Sequence, residues 1–480
     1  MKGALNKIVM KFGGTSVQDS EAITNVINIV KNTDASKIVV VSAVAKGTNS
    51  LEQIARLSSE SNTAEAKKIL ETLINRHYKI IDELVHDKEL KAAAAEKITA
   101  FHRQIEELIS GLGIIRELTL RTLDAFRVFG ELMSSTVISY AMKNAGIDVE
   151  LIDSRSIIKT DNEYSRAYPD FEITQANVNE KLLPLLKEGK TLLAQGFIAS
   201  TVDGVSTTMG RESSDFSAAI YGAMINADEI QIWTDVDGVL TADPNIISNT
   251  LKLSEISFQE MEELSNFGAK VLHKNSVKPA YKKNIPIRIL NSKNISSTGT
   301  IIKSDLNYPL HVKSVTYKNN VIVLRLKPKE TLNQYIFWEM FLNILSKHKP
   351  QIDILVSSNN AIIVVIAENN YTKIHYDDLK NEMDEISDFR IINDKALVTI
   401  IGSNLYEINN FEKRIFCCIP DIKAESVVFG FNSHSFSLLL DADKMEPSLK
   451  NIHKEFFEDE NASDGLYEKN LYNQLVTSIN

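Results

Sequence analysis

Hydrophobic and polar positions follow two different textures along the chain, and the change falls near residue 305. Up to about residue 300, short continuous apolar runs recur: Ile8-Val9-Met10, Ile38–Val41, Leu192–Phe197, Ile230–Trp233 and Ile285–Leu290. Runs of this length between turn formers predict strands buried on both faces. Asp148–Ile152 predicts a further strand. Between the runs, apolar residues repeat every three or four positions, as at Ala22, Val26, Ile29 and Val30, which predicts helices. Alternation of this kind marks an α/β domain with a mainly parallel sheet and helices on both faces. Residues from about 50 to 143 are predicted helical, with Ile69, Leu73, Ile80, Ile81 and Leu84 on one face, as a lid or packing insertion. Four consecutive alanines inside Lys91–Lys97 suit a solvated helix. Ser292–Gly299 is polar and ends in glycine, the pattern of a linker.

Beyond residue 305 the order strand, helix, strand, strand, helix, strand is predicted twice. The first unit takes strands at Val321–Leu326, Asp353–Ser357, Ala361–Ile366 and Arg390–Asn393. The second takes strands at Ala396–Gly402, Ala424–Phe429 and Ser435–Leu440, and lacks a fourth unless His311–Tyr317 crosses back to it. Both are ferredoxin-like βαββαβ units, a weak internal repeat. The expected domains are 1–300 and 305–480, the latter with units at about 320–394 and 395–460, completed by about 308–318. The tail after Asn461 is polar and expected to fray.

Composition narrows the function classes. The 480 residues are 44% hydrophobic and 24% charged, as in ordinary soluble globular proteins. A formal net charge of −10 argues against general binding to nucleic acid or to an anionic membrane, which needs a basic face. It leaves room for a local basic pocket. The two cysteines, Cys417 and Cys418, are neighbours whose side chains point apart, so neither a disulfide nor a metal pair is expected and a reducing cytoplasm fits. The N-terminal apolar run is too short for a signal peptide, and no stretch reaches the length of a membrane span.

Candidate chemistry begins where the first strand breaks into Lys11-Phe12-Gly13-Gly14-Thr15-Ser16. Adjacent glycines admit a ligand close to the backbone, and a following helix start offers unpaired N–H groups to an anion. Lys11 adds a full positive charge. The spacing is not that of a P-loop. Ligands in open α/β sheets gather at the carboxyl ends of strands, which places Ser42 and Thr48, after the second strand, on the same rim. In Phe129-Gly130-Glu131-Leu132, an acid follows glycine at an expected helix start, as a site residue or as a cap. Gly210-Arg211-Glu212-Ser213-Ser214-Asp215 precedes an alanine-rich helix, and Arg211 there suits a carboxylate or phosphate. Thr234-Asp235-Val236-Asp237-Gly238 through Asp243-Pro244 is dense in acids and threonines that suit Mg²⁺ or ribose hydroxyls. Asp237 alone reads best as an Asx turn. Lys270, in Gly268-Ala269-Lys270, is by itself an ordinary solvated lysine.

Together, Lys11–Ser16, Gly130-Glu131, Gly210–Asp215, Thr234–Pro244 and Gly268–His273, in this order, resemble the aspartate kinases (aspartokinases). The likeness covers nearly the whole chain. It implies the amino-acid kinase fold followed by tandem ACT domains, one inserted into the other. It further implies ATP-dependent phosphorylation of the L-aspartate side-chain carboxylate, the entry toward lysine, threonine and methionine. Lys11, Lys270, Gly13 and Gly14 would hold the triphosphate with Mg²⁺, and Asp215 would orient Lys11. Arg211 would clamp the substrate α-carboxylate and Glu131 its ammonium, with Ser42, Thr48 and Ser214 lining the pocket. Thr234, Asp235 and Asp243 would meet the nucleotide. The resemblance implies no tightly bound prosthetic group and no metal site of the protein's own. It also implies a homodimer through the ACT units and feedback by an end-product amino acid such as lysine or threonine, with Asp353 and Ser358 as candidate effector contacts. The chain departs from the pattern at Ser213, Leu240 and Asn245, where glycine, an aromatic residue and arginine are usual. It departs again at Gln334–Phe337 and Asn359 in the first ACT unit. A catalytically weak amino-acid sensor, or a kinase for glutamate or acetylglutamate, are the alternatives. The homoserine dehydrogenase half of bifunctional relatives is not expected.

Overall fold

The computed structural model describes residues 6–210, 213–269, 272, 276–304, 306, 312–350, 352–358, 361–367, 376–420, 424, 426–428, 434–458 and 467–469. By contacts the chain forms two compact units: Met1–Val239 with Leu272–Asp305, and Leu240–Val271 with Leu306–Asn480. Residues 240–271 therefore group with the C-terminal sequence, which a single cut near residue 300 does not capture.

The first unit is built on a twisted sheet of β1 (Lys7–Phe12), β2 (Ser36–Val41), β3 (Val149–Ile152), β4 (Thr191–Gln195), β5 (Glu229–Thr234), β6 (Ile287–Asn291) and β7 (Thr300–Lys303). Their spatial order is β7-β6-β5-β1-β2-β4-β3. All pairs are parallel except β6 with β7. The apolar runs are strands because both faces are covered: Ile38, Val39, Val40 and Val41 are all fully buried. The segment Ser292–Gly299 is not a linker. It is the turn of the β6–β7 hairpin, and Gly299 takes φ +68° there. Chain order reverses direction around β1, which lies between β2 and β5, and so opens a crevice beyond its carboxyl end.

The predicted helical tract resolves into α2 (Gly47–Ser59), α3 (Thr63–Leu84), α4 (Lys88–Ile115) and α5 (Leu120–Asn144), after α1 (Ser20–Asn32). Leu51, Leu70, Ile98 and Phe126 join Phe12 and Val41 in one apolar cluster, so these helices are part of the core. Helix α6 (Ser214–Ile225) is buried along its whole length.

The second unit carries a sheet of β8 (Val312–Pro328), β9 (Ile352–Ser357), β10 (Ile362–Ala367), β11 (Ser387–Gly402), β12 (Ser426–Val428) and β13 (Ser435–Asp441), in the order β9-β10-β8-β11-β13-β12. Helices α7 (Gln334–His348), α8 (Tyr376–Ile386), α9 (Phe411–Cys418) and α10 (Met445–Phe457) connect them. Each half shows the ferredoxin-like order, and the two long strands serve both halves. The segments read as Arg390–Asn393 and Ala396–Gly402 form one strand, with Asp394 at φ +57° where its register with β8 shifts and its pairing with β13 begins. Val312–Lys318 pairs with Leu397–Gly402 and completes the second unit by crossing back. His311 itself lies outside the described residues. These are the two βαββαβ units expected of tandem ACT domains.

Candidate active site

Parallel registration sets the carboxyl ends of the central strands level. Phe12 pairs with Val41 on one side and with Trp233 on the other. Backbone bonds then tie the loops that follow. Gly13 N–H donates to Trp233 O at 3.2 Å, Ser42 N–H to Phe12 O at 3.2 Å, and Gly196 N–H to Val41 O at 2.9 Å. One rim therefore gathers the loops after β1, β2, β4 and β5.

Lys11, the last residue but one of β1, has its Nζ 2.6 Å from Asp215 Oδ1, both side chains about nine-tenths buried (11% and 10% exposed). Asp215 belongs to the first turn of α6. The backbone at Gly14 could not carry a side chain unchanged, because a Cβ there would lie 3.1 Å from Ala43 O. Gly196 serves the same end on the next loop: a Cβ would meet the Cβ of Ser214 at 2.6 Å, so glycine lets the start of α6 reach the rim.

Glu131 stands in the middle of α5, not at a helix start, which removes the reading of it as a cap. Gly130 permits this by packing: a Cβ would come within 2.9 Å of the Ala43 Cβ and 3.6 Å of Thr48 Oγ1. The helix thereby passes directly against the loop after β2. Glu131 Oε1 accepts from Ala43 N–H at 3.2 Å, whereas buried Oε2 has no hydrogen-bond partner. Burial raises the carboxyl pKa from 4.5 to about 8, opposed by the bond from Ala43. Ser134 Oγ donates to Ser42 O at 2.8 Å and fixes that loop from the next turn of the helix.

On the other side, Thr234 Oγ1 donates to exposed Asp235 at 3.2 Å, and Thr234 O accepts from Ser292 N–H at 2.8 Å. Asp237 accepts from Asn291 and Asn294 side chains at 2.9 and 3.1 Å, which is a structural role. Arg211, Lys270 and Asn359 lie outside the described residues. Asp243 belongs to the second unit, where it accepts from Asn245 N–H at 2.9 Å, Asn245 Nδ2 at 2.8 Å and Tyr317 O–H at 3.1 Å. Asp353 is also there, 2.6 Å from Lys318 Nζ, with its buried Oδ2 unpartnered. Ser358 is exposed and bonds Ala361 across a turn.

Two rim residues escaped the sequence reading. Arg76 on α3 donates to Ala45 O at 2.7 Å and to Gln18 O at 2.6 Å, clamping two site loops together. Ser292, at the start of the segment read as a linker, shares a buried 2.8 Å hydrogen bond with Ser16. A single arginine on a helix face carries no sequence signal for such a contact.

A family model described as the amino acid kinase family matches residues 6–291. The chain is 30% identical over 468 residues to the chloroplastic aspartokinase 3 of Arabidopsis thaliana, covering 94% of this chain and 81% of that protein. It is 27% identical to the lysine-sensitive aspartokinase 3 of Escherichia coli, covering 94% and 99%. The crystal structure of E. coli aspartokinase III with aspartate and ADP superposes with a TM-score of 0.85 at 26% identity, again over 94% and 99%. The chain belongs to the amino acid kinase family and, within it, to the aspartokinases.

Proposed function

We infer that this chain is an aspartate kinase, transferring the γ-phosphoryl group of ATP to the side-chain carboxylate of L-aspartate. One observation carries the reading most: the rim beyond β1 holds the Lys11–Asp215 ion pair, and Ala43, on the next loop, packs against Gly14 and donates to a buried, half-satisfied carboxyl group, Glu131. A cation beside the helical turn that starts at Gly14 suits a triphosphate, although the Gly13 N–H is spent on Trp233 O. A buried carboxyl oxygen lacking a partner suits the ammonium of a free amino acid. That second feature favours an acceptor with an unblocked amine over acetylglutamate.

In the transfer, a carboxylate oxygen of aspartate attacks the γ-phosphorus in line, and the bond to the β,γ-bridging oxygen breaks. The products are 4-phospho-L-aspartate and ADP. The nucleophile is already an anion, so no general base is required. Positioning and charge neutralisation supply the rate enhancement. Asp215 orients Lys11 toward the phosphates, and Lys270 is assigned to the same phosphates. Arg211 takes the α-carboxylate, with Ser42, Thr48 and Ser214 lining the acceptor pocket. Thr234 and Asp235 are assigned to the nucleotide, whereas Asp243 is engaged by Asn245 and Tyr317 within the second unit. Magnesium enters with ATP as part of the substrate. An ion that arrives with ATP is held mainly by phosphate oxygens and water.

The relative named lysine-sensitive supports lysine as the first effector to test. Asp353 offers an ammonium a buried oxygen that Lys318 leaves unpaired. The ACT sheet also grips residues 240–271 within its own unit. Tyr317 O–H bonds Asp243, Ser403 Oγ donates to Glu260 at 2.7 Å, and Thr241 shares a 2.9 Å bond with buried His453. An effector on this sheet thus acts on the segment that carries Asp243. No described helix is long and apolar enough to cross a membrane.

A panel of acceptors (aspartate, glutamate, acetylglutamate) with ATP, each with and without lysine, threonine and methionine, tests the assignment. Hydroxamate formation from aspartate alone is expected, with inhibition by an end product. Phosphorylation of another acceptor in its place would reject the reading. Dimerisation is assigned to the first ACT unit, where β9 is the outer edge of the sheet and exposes Ile352 and Leu355, and where α7 exposes Tyr335, Ile336 and Leu342. An uncovered apolar edge strand invites pairing with a second copy. Leu355→Lys is expected to shift the protein from dimer to monomer in light scattering. A wild-type chain that runs as a monomer would remove this surface.

A further inference from the structure

We propose that Asp124 is a positioning residue for the aspartate side of the site, holding in place the strand end that leads into Gly210–Ser214. The inference rests on the kinase reading above and deepens it.

Asp124 lies seven residues before Glu131 on α5 and is fully buried. Its two oxygens form a fork that grips two separate segments. Oδ2 accepts from the backbone N–H of Ser165 at 2.7 Å and of Thr208 at 2.9 Å. Oδ1 accepts from the hydroxyls of the same two residues, at 3.0 Å from Ser165 and 2.7 Å from Thr208. An ionised carboxylate, which only accepts, matches four converging donors, and no other side chain of this size does so. Arg127, one turn further along α5, adds a cation 3.4 Å from Oδ1. It also donates to Ser165 Oγ at 2.8 Å and pairs with Glu52 of α2 at 2.7 Å.

What the fork holds matters more than how tightly. Thr208 is followed by Met209, whose N–H donates to Phe197 O at 3.0 Å, and then by Gly210, at φ +96°. Ser213 N–H closes back on Gly210 O at 3.3 Å, and α6 begins with Ser214 and Asp215. Gly210 and Ser213, which flank the acceptor-binding residues, thus lie next to Thr208 on one side and α6 on the other. Glu52 belongs to α2, whose first turn carries Thr48. One buried acid therefore sets Thr208, the loop at Ser165 and, through Arg127, the helix bearing Thr48, all relative to Glu131 on its own helix. Lys11, Gly13 and Gly14 make none of these bonds, and α6, which carries Asp215, has an anchor of its own where Phe197 N–H donates to Ser217 Oγ at 2.9 Å, so the nucleotide side depends less on the fork.

Two variants test the assignment on the full-length protein. Asp124→Asn turns one acceptor into a donor facing Arg127 or two N–H groups. Thr208→Val keeps the shape and removes one hydroxyl from the fork, while Thr208→Ser restores that hydroxyl. The expected result is a KM for aspartate raised about tenfold in Asp124→Asn, less in Thr208→Val, and near wild type in Thr208→Ser. The KM for ATP and kcat at saturating aspartate should stay within about twofold, the signature of lost ground-state positioning. Folded variants with a lowered thermal midpoint but unchanged KM for aspartate would overturn the proposal, as would equal increases in both KM values. A wild-type protein unable to phosphorylate aspartate would instead reject the underlying kinase reading.

Discussion

Replacing Lys11 with alanine is expected to lower kcat by roughly 10²–10³, the scale for loss of one preorganised charge at a developing anion. The ammonium sits 2.6 Å from Asp215 at the end of the central strand, where little water screens it. A phosphoryl group in transfer spreads negative charge over its equatorial oxygens, so a fixed cation stabilises the transition state more than the ground state. Asp215→Ala is expected to cost a similar factor by a different route. It leaves the lysine charge present but unaimed, and leaves a nearly buried cation without its partner. A stability loss of order ~3 kcal/mol should accompany that second variant. Lys11→Ala leaves the buried Asp215 carboxylate unpaired in turn, so thermal unfolding should report a loss for both variants, and kcat is to be compared where both are folded. Unchanged hydroxamate formation in Lys11→Ala would remove the lysine from the mechanism.

The affinity for aspartate is expected to depend on pH through Glu131. With its pKa raised to about 8, the carboxyl group is about nine-tenths protonated at pH 7 before substrate binds. A ligand ammonium needs the carboxylate, so binding must release that proton. The KM for aspartate should fall as pH rises from 6 toward 8, by up to about tenfold per unit, and level off above. Glu131→Gln should flatten this profile and raise the KM by about 10- to 100-fold, since a charge-assisted hydrogen bond is lost. The sign for stability follows from linkage. The folded pKa lies above the unfolded value of 4.5, so the folded state binds the extra proton between them. The stability this proton contributes is full below pH 4.5 and is lost as pH rises through about 8. The thermal midpoint without aspartate should decline across that window, and added aspartate should oppose the decline. A KM for aspartate that is constant from about pH 6 to 8.5 would exclude Glu131 as the ammonium partner.

The two predicted residues at the heart of these tests were legible to different degrees. Lys11 stood out because a buried strand followed by Gly-Gly is a local pattern, and the chemistry of the strand end is local too. Glu131 was visible only as an acid after a glycine. The glycine suggested a helix start, whereas it lies inside a continuous helix and makes room for Ala43. Asp124 carried no signal at all: its donors come from residues 165 and 208, and nothing near it in sequence marks them. The same holds for Arg76, which closes on loops at positions 18 and 45. The hairpin turn at Ser292–Gly299 was misread because a polar, glycine-ended segment looks alike whether it joins two domains or two strands.

From its sequence alone, the chain determined which segments become strands and helices, since apolar periodicity and turn residues act over a few neighbours. It also determined the ordered motifs that place it among the aspartokinases, and the repeated ferredoxin-like order of its last third. Tertiary structure alone decided that residues 240–271 pack with the ACT sheet, that β8 and β11 each serve two units, and that an acid on α5 holds the distant loop at Ser165 and the strand end at Thr208. The reason is that burial and hydrogen-bond saturation are satisfied in space: a carboxylate or a backbone N–H takes its partner from whichever segment the fold brings within about 3 Å.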